Sequence, residues 1–431
     1  MLFMQSRLKN RPSAISPLLW VMLFDHTSLN ITFPVLTLLF FDVQSSLFAP
    51  DTSHAVRSMW YGLCVAVPHI VNIVMTPILS ALSDEFGRKK ILLVGTLGAF
   101  LFAMTAALGI LWGMLSLLFL GRIIQGAFSR TNPIAQAVIG DISPREHKVR
   151  YMGYLQASIS IGACIGPVIG GYFANQLFFA QLNFSLPYFI AAVFAGISCL
   201  FALFMFKETL AIKHKRTRWS EFNFRTLKKV MTNQQVLRIS AILLLSQISW
   251  SLYYQFIPPV LKTTLGFNPH ALGLFVGMIA FWLALATAFG IKFLERWLLL
   301  GQMLFFSLYL VLGGLLLSVL FCLLQATQNA SFLIWIAAVP TAVGDVIAFS
   351  CLITLYSNVV QKGEQGKVMG ICFIVVALMW SLTGLLGGAM MSVFELLPLI
   401  VAPLGILLAI ILLHSGFGKQ MLVFDPPCDD N

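Results

Sequence analysis

Charge is what this sequence has least of. Asp, Glu, Lys and Arg make up 10% of its 431 residues, whereas a soluble chain carries roughly a quarter. A chain longer than about 250–300 residues ordinarily divides into domains, each with its own polar shell. No stretch here supplies such a shell, which excludes a water-facing exterior. Cysteine is present but unpatterned. Cys64, Cys164, Cys199, Cys322, Cys351 and Cys372 lie in apolar runs and Cys428 in the tail, with no CxxC pair and no zinc-like spacing. That excludes a disulfide framework and a structural metal site. There is no HExxH, no nucleophile elbow, no Walker loop and no Gly-rich nucleotide turn, so no catalytic residues, no enzyme activity, no metal and no cofactor are expected. An ATP-driven pump would need its motor on a separate subunit. The basic start (Arg7, Lys9, Arg11) precedes an apolar run far too long for a signal core and without a small-residue cleavage site.

What the sequence does have is apolar length. Hydrophobic residues make up 59%, with 37 Phe. A bilayer core about 30 Å thick needs roughly 20 apolar residues in a helix. That length marks twelve segments, at 16–41, 58–82, 91–112, 114–140, 151–175, 184–206, 236–259, 270–291, 302–325, 332–357, 366–391 and 393–415. None shows the ten-residue alternation of a membrane barrel, so the expected class is all-α, with twelve transmembrane helices.

The loops set the orientation. With both termini cytoplasmic, 23 of the 27 Lys and Arg residues fall on inward-facing segments, the asymmetry of the positive-inside rule. Arg57 and Lys262 face outward, and Arg122 and Arg130 lie within the fourth segment. The net charge of +11 thus reflects topology and contact with anionic lipid, and no nucleic-acid partner is expected. The longest basic stretch falls between segments six and seven. It divides the chain into a bundle at 1–206, a cytoplasmic linker at 207–235 and a second bundle with a short tail at 236–431. The halves echo each other. Arg145, Arg150, Met152 and Gly153 return 217 positions later as Lys362, Lys367, Met369 and Gly370. At the same offset Gly170-Gly171 becomes Gly387-Gly388; near the ends of segments one and seven, Pro34-Val35-Leu36 is matched by Pro259-Val260-Leu261. Paired repeats around a midplane site are the architecture of secondary transporters.

Between the second and third segments stands Leu82-Ser83-Asp84-Glu85-Phe86-Gly87-Arg88-Lys89-Lys90. The fourth carries Leu118-x-x-x-Arg122-x-x-Gln125-Gly126 and ends on Asp141-Ile142-Ser143-Pro144, followed by Glu146 and Arg150. The fifth carries Gly162-x-x-x-Gly166-Pro167-x-x-Gly170-Gly171, and Leu265-Gly266-Phe267-Asn268 precedes the eighth. Together these resemble the major facilitator superfamily, in particular its twelve-helix drug:proton antiporter branch. The loop is similar to the signature G-x-L-x-D-R-x-G-R-K, with Ser80 in place of the leading Gly and Glu85 in place of an Arg. The resemblance implies two six-helix bundles that rock about a central cavity. Asp84, Gly87, Arg88 and Asp141 would latch the inner face. Gly162, Gly166, Pro167, Gly170 and Gly171 would form the antiporter helix, where small residues allow close packing and Pro bends the axis.

Several residues within the membrane carry charge or polarity. Asp25, nine residues before Pro34, has the placement of the acid of tetracycline-type antiporters. It lies about 13 Å, and Arg130 about 16 Å, from the cytoplasmic side at 1.5 Å per residue. The resemblance places helices 1, 4, 7 and 10 around the cavity, so an Asp25–Arg130 pair broken by proton or substrate is expected. A static structural ion pair is the alternative. Asp345 is the only acid in the middle of a C-half segment, and such residues are functional by default. The proton-coupling candidates are therefore Asp25, Asp345, Arg122, Arg130 and His69, with His26 beside Asp25. The cavity candidates are Asp25, Asn30, Arg130, Tyr253, Tyr254, Gln255 and Asp345, with Trp250 one turn earlier. The expectation is a monomeric, multi-pass protein of the bacterial inner membrane that exports a small amphipathic compound against protons. The same fold running the other way, as proton-coupled uptake of an organic anion such as a carboxylate metabolite or siderophore, is the alternative. A membrane enzyme or receptor lacks any motif to carry it.

Overall fold

The computed structural model describes residues 15–128, 131–143, 147–174, 182, 184–210, 234–324, 330–359 and 365–415, with backbone alone at 149, 330, 357, 359 and 365–374. Arg130, Pro144, Arg145, Glu146, Lys362, Cys428 and most of the 207–235 linker lie outside the described residues, as do the side chains of Lys367, Met369, Gly370 and Cys372.

The described elements are helical. They are α1 Ile15–Phe41, α2 His54–Phe86, α3 Arg88–Leu111, α4 Leu115–Phe128, α5 Thr131–Ile142, α6 Lys148–Phe173 and α7 Ser185–Leu200, which closes in a π-turn at Phe201–Met205. There follow α8 Gln234–Thr264, α9 Pro269–Leu285 with a π-turn at Ala286–Gly290 and one further turn at Ile291–Leu294, α10 Leu300–Leu323, α11 Ala330–Val359, α12 Gln365–Val393 and α13 Leu397–His414. Ten of the described helices are long and apolar enough to cross a bilayer. The first and fourth expected segments are not among them. α1 has the length, at 27 residues, but carries Asp25, His26 and Asn30 within it. The fourth is described as two pieces of 14 and 12 residues. Large apolar side chains stand open on the outside of the helices, among them Phe204, Phe289, Phe332 and Leu386. In lipid that surface is solvated by hydrocarbon.

The chain forms two compact units, residues 1–218 with 261–281 and residues 219–260 with 282–431. In the first, α1 packs on α6 and α7, α3 on α4 and α7, and α2 on α4. Hydrocarbon gives no hydrophobic drive for these contacts, so small residues and close backbone approach must provide them. Gly121 of α4 sits where a Cβ would come within 3.1 Å of the Phe102 carbonyl of α3. Toward one end, Leu18, Val21, Leu92, Val138, Ile139, Leu155 and Phe206 close a tight apolar cluster. In the second unit α10 packs on α11, and α13 on α10 and α12. Gly344 of α11 lies against Ser307 O, 2.7 Å from where its Cβ would be.

Candidate functional site

The polar stretch of α1 is organised residue by residue. Asp25 is fully buried, and its Oδ2 accepts a 2.6 Å hydrogen bond from Thr131 Oγ1 at the start of α5. Thr27 Oγ1 donates to Leu23 O, and Asn30 Nδ2 to His26 O, so both are satisfied within their own helix. Ser28 Oγ donates across to Ala191 O of α7. The expected Asp25–Arg130 pair cannot be placed, since Arg130 lies outside the described residues. Arg122 instead binds locally: Nε donates to Cys64 O at 2.8 Å and Nη1 to Gln125 Oε1 at 2.6 Å. That ties α4 to α2, on which half-buried His69 also lies.

The glycines of α6 form a smooth face against α1. Gly162 fits beside Leu23 O and Thr27 N, Gly166 beside Thr27 O and Asn30, and Gly170 beside Ile31 O. Pro167 and Gly171 turn to the other side, where Pro167 O and Gly171 Cα meet Gly273 of α9. Within the same unit Lys262 Nζ reaches Asp42 Oδ2 at 2.6 Å. Arg57 donates to the carbonyls of Phe40, Ala49 and Thr52 and lies over the Phe48 ring. Both of these basic residues are thus engaged within the protein.

At the α2–α3 turn, Arg88 pairs with Asp84 at 2.6 Å and with Asp141 at 2.9 Å, and also donates to Ser83 Oγ. Gly87 has φ 109° and ψ 149°, a region that is strained for any residue with a Cβ. Glu208 closes the same turn. Its carboxylate accepts from the backbone N–H groups of Arg88 and Lys89 at 2.9 and 3.2 Å, and occupies the space a Cβ at Gly87 would need. An acidic group thereby caps the N-terminus of α3.

In the second unit, Tyr253 and Gln255 are fully buried and Tyr254 is half-buried. Trp250 stacks on Tyr254 with centroids 5.4 Å apart, and Tyr254 meets Trp380 of α12 at 5.9 Å. Asp345 is 6% exposed, and among the described residues no side chain or backbone group bonds to its carboxyl.

The structure thus joins Asp84, Arg88 and Asp141, seats Gly162, Gly166 and Gly170 on α1, and sets Asp25 on Thr131. Sequence reasoning missed Thr131, Glu208, Asp42 and Trp380. Glu208 and Asp42 were visible as charges flanking apolar runs, whereas Thr131 and Trp380 carried no signal.

The sequence profile of the Major Facilitator Superfamily matches residues 18–384. The chain belongs to that superfamily and is an integral, multi-pass membrane protein. It is 30% identical over 193 residues to the class H tetracycline resistance protein of Pasteurella multocida, covering 44% of each chain. It is 34% identical over 150 residues to the class E tetracycline resistance protein of Escherichia coli, covering 35% of each. The match therefore spans less than half the length of these relatives. Among solved structures, a POT family transporter in complex with a thioalcohol-conjugated peptide superposes with a TM-score of 0.74 at 14% identity, over 95% of this chain and 96% of that one. The fold is that of the superfamily.

Proposed function

We propose that this protein is a proton-coupled antiporter that exports a small amphipathic compound by alternating access. It acts as a monomer in a bacterial inner membrane, with both termini cytoplasmic and two six-helix halves at 1–206 and 236–431 joined by the 207–235 linker. The observation that carries the proposal is Asp25. It is a fully buried carboxyl held through one oxygen by Thr131, on the helix against which the glycine face of α6 packs. A charge at such depth is costly unless it is used, and taking up a proton removes the charge without moving the helix. The Asp25 placement and the α6 glycines match the tetracycline-type pattern, and the tetracycline resistance relatives support the export direction. Asp345 gives the second unit a like group. Uptake of an organic anion draws less support, because Arg122 already spends donors on Cys64 O and Gln125.

The test is purified protein in liposomes with an imposed pH gradient, an internal pH-sensitive dye, and a panel of lipophilic cations, amphipathic drugs and small organic anions. Substrate-evoked proton flux is expected in wild type and lost in Asp25→Asn, with the sign of antiport. Undiminished flux in the mutant would remove Asp25 as the coupling group, and flux of symport sign would reverse the direction.

A further inference from the structure

The start of α6 carries cations and rings side by side. His147, Lys148 and Arg150 are exposed, and Tyr151 and Tyr154 follow within two turns. The rings of His147, Tyr151 and Tyr154 stand in succession, with centroids 6.0 and 6.4 Å apart. Arg150 is laid against the last of them. Its Nε donates to Tyr154 Oη at 2.6 Å, and its guanidinium carbon lies 5.5 Å from the ring centroid. A guanidinium held along one edge keeps its two Nη groups in a fixed fork. Among the described residues nothing else bonds to Arg150, and no acidic side chain pairs with it or with Lys148.

Cations of the α2–α3 turn are differently employed. Arg88 is held by Asp84 and Asp141, and Lys89 Nζ donates to Leu203 O at 2.7 Å. Beyond Arg150 the surface of α6 passes from polar to apolar along one lane. Gly153 has no atom within 4 Å of where its Cβ would stand, and Ala157 is exposed. Tyr154 is 41%, Ile161 49% and Ile165 46% exposed. Gly162, Gly166 and Gly170 turn toward α1 and Gly171 toward α9, so the lane lies on the side of α6 that neither helix covers. From Tyr154 to Ile165 is eleven residues, about 16 Å at 1.5 Å per residue. That is half of a hydrocarbon core about 30 Å thick. With both termini cytoplasmic, Tyr154 stands at the inner headgroups and Ile165 near the midplane.

We infer that the Arg150–Tyr154 pair, with Lys148 and the lane from Ala157 to Ile165, is a binding site for one anionic phospholipid of the inner leaflet. The open fork of Arg150 takes two phosphate oxygens, the paired contact for which a planar guanidinium is shaped. Lys148 adds charge at the headgroup, and an acyl chain runs over Ala157 toward Ile165. Tyr154 serves twice. Its hydroxyl and ring hold Arg150, and the ring itself sits at headgroup level, where amphipathic aromatics are at home. Basic loops attract anionic lipid diffusely; this site holds one molecule through one prearranged cation. A soluble phosphate offers the same head but nothing for the lane. The site rests on the inner placement of the α6 start and not on the direction of transport.

The test is lipid retention by the full-length protein, purified in detergent and titrated with phosphatidylglycerol or phosphatidylcholine, with bound lipid counted by native mass spectrometry. Wild type should hold one phosphatidylglycerol roughly tenfold more tightly than phosphatidylcholine. Arg150→Ala should lose that preference. Tyr154→Phe, which keeps the ring but releases the Arg150 side chain from its hydroxyl, should lose it in part. Lys90→Ala removes an exposed cation at the start of α3 and should change nothing. Millimolar inorganic phosphate should not displace the lipid. Size-exclusion profiles and lipid-free thermal midpoints, expected to match wild type, check the fold of each variant. A wild type without preference, or a full preference kept in Arg150→Ala or Tyr154→Phe, would overturn the site. So would equal losses in Arg150→Ala and Lys90→Ala, which would leave only diffuse attraction. Displacement by inorganic phosphate would replace the lipid with a soluble anion.

Discussion

At the residue scale, two buried carboxyls stand in different company. Asp25 has a hydroxyl partner in Thr131; Asp345 has no bonding partner among the described residues. An unpartnered buried carboxyl contributes nothing to the fold that an amide of the same shape would not. Asp345→Asn should therefore leave the thermal midpoint of the purified protein unchanged or raise it, while substrate-evoked proton flux falls. A fall in midpoint of more than a few degrees would instead show that the carboxyl is structural. Both acids were legible in the sequence because a charge inside an apolar run is costly wherever the run ends up. Thr131 and Trp380 were not, because their roles depend on which helix lies opposite. A threonine on α5 or a tryptophan on α12 reads as ordinary filling until its neighbour is known.

At the element scale, the duplication is visible in contacts as well as letters. Gly170 of α6 meets Ile31 of α1, and Gly387 of α12 meets Phe256 of α8. Gly387 lies 217 positions after Gly170, and Phe256 lies 225 after Ile31, the offset that also relates Pro34 to Pro259. One packing solution has been used twice. Gly171 is a strict position too, because Pro269 O and Gly273 Cα, both backbone, fill the space a side chain would enter. Gly171→Val should cost on the order of 1–3 kcal/mol or more from overpacking, seen as a lower thermal midpoint and lost transport. Gly196→Ala is the control. Its nearest neighbour is a Phe100 ring carbon at ordinary contact distance, 3.7 Å, so that variant should melt no lower than wild type. The small-residue pattern of α6 was readable in advance, and so was its likeness to the antiporter helix. The choice of α1 on one side and α9 on the other was not, since four-residue spacing says only that some helix comes close.

At the scale of the whole molecule, hydropathy and loop charge gave the class and most of the spans. The polar middle of α1 and residues 129–130 outside the described set leave the first and fourth spans uncounted by length and composition. The expected division at the basic linker follows composition, whereas the compact units follow contacts. Leu261–Phe281 groups with the first unit, through the Gly171–Gly273 approach and the Asp42–Lys262 bridge. The consequence concerns a gene cut in two. Fragments ending near residue 210 and starting near 234, made separately in one cell, should find each other, because the second carries a hairpin that completes the first. Pull-down of one tagged fragment should retain the other, and Gly171→Val should weaken that recovery severalfold. Fragments that purify apart would mean that the covalent tether, and not the borrowed hairpin, keeps the chain whole.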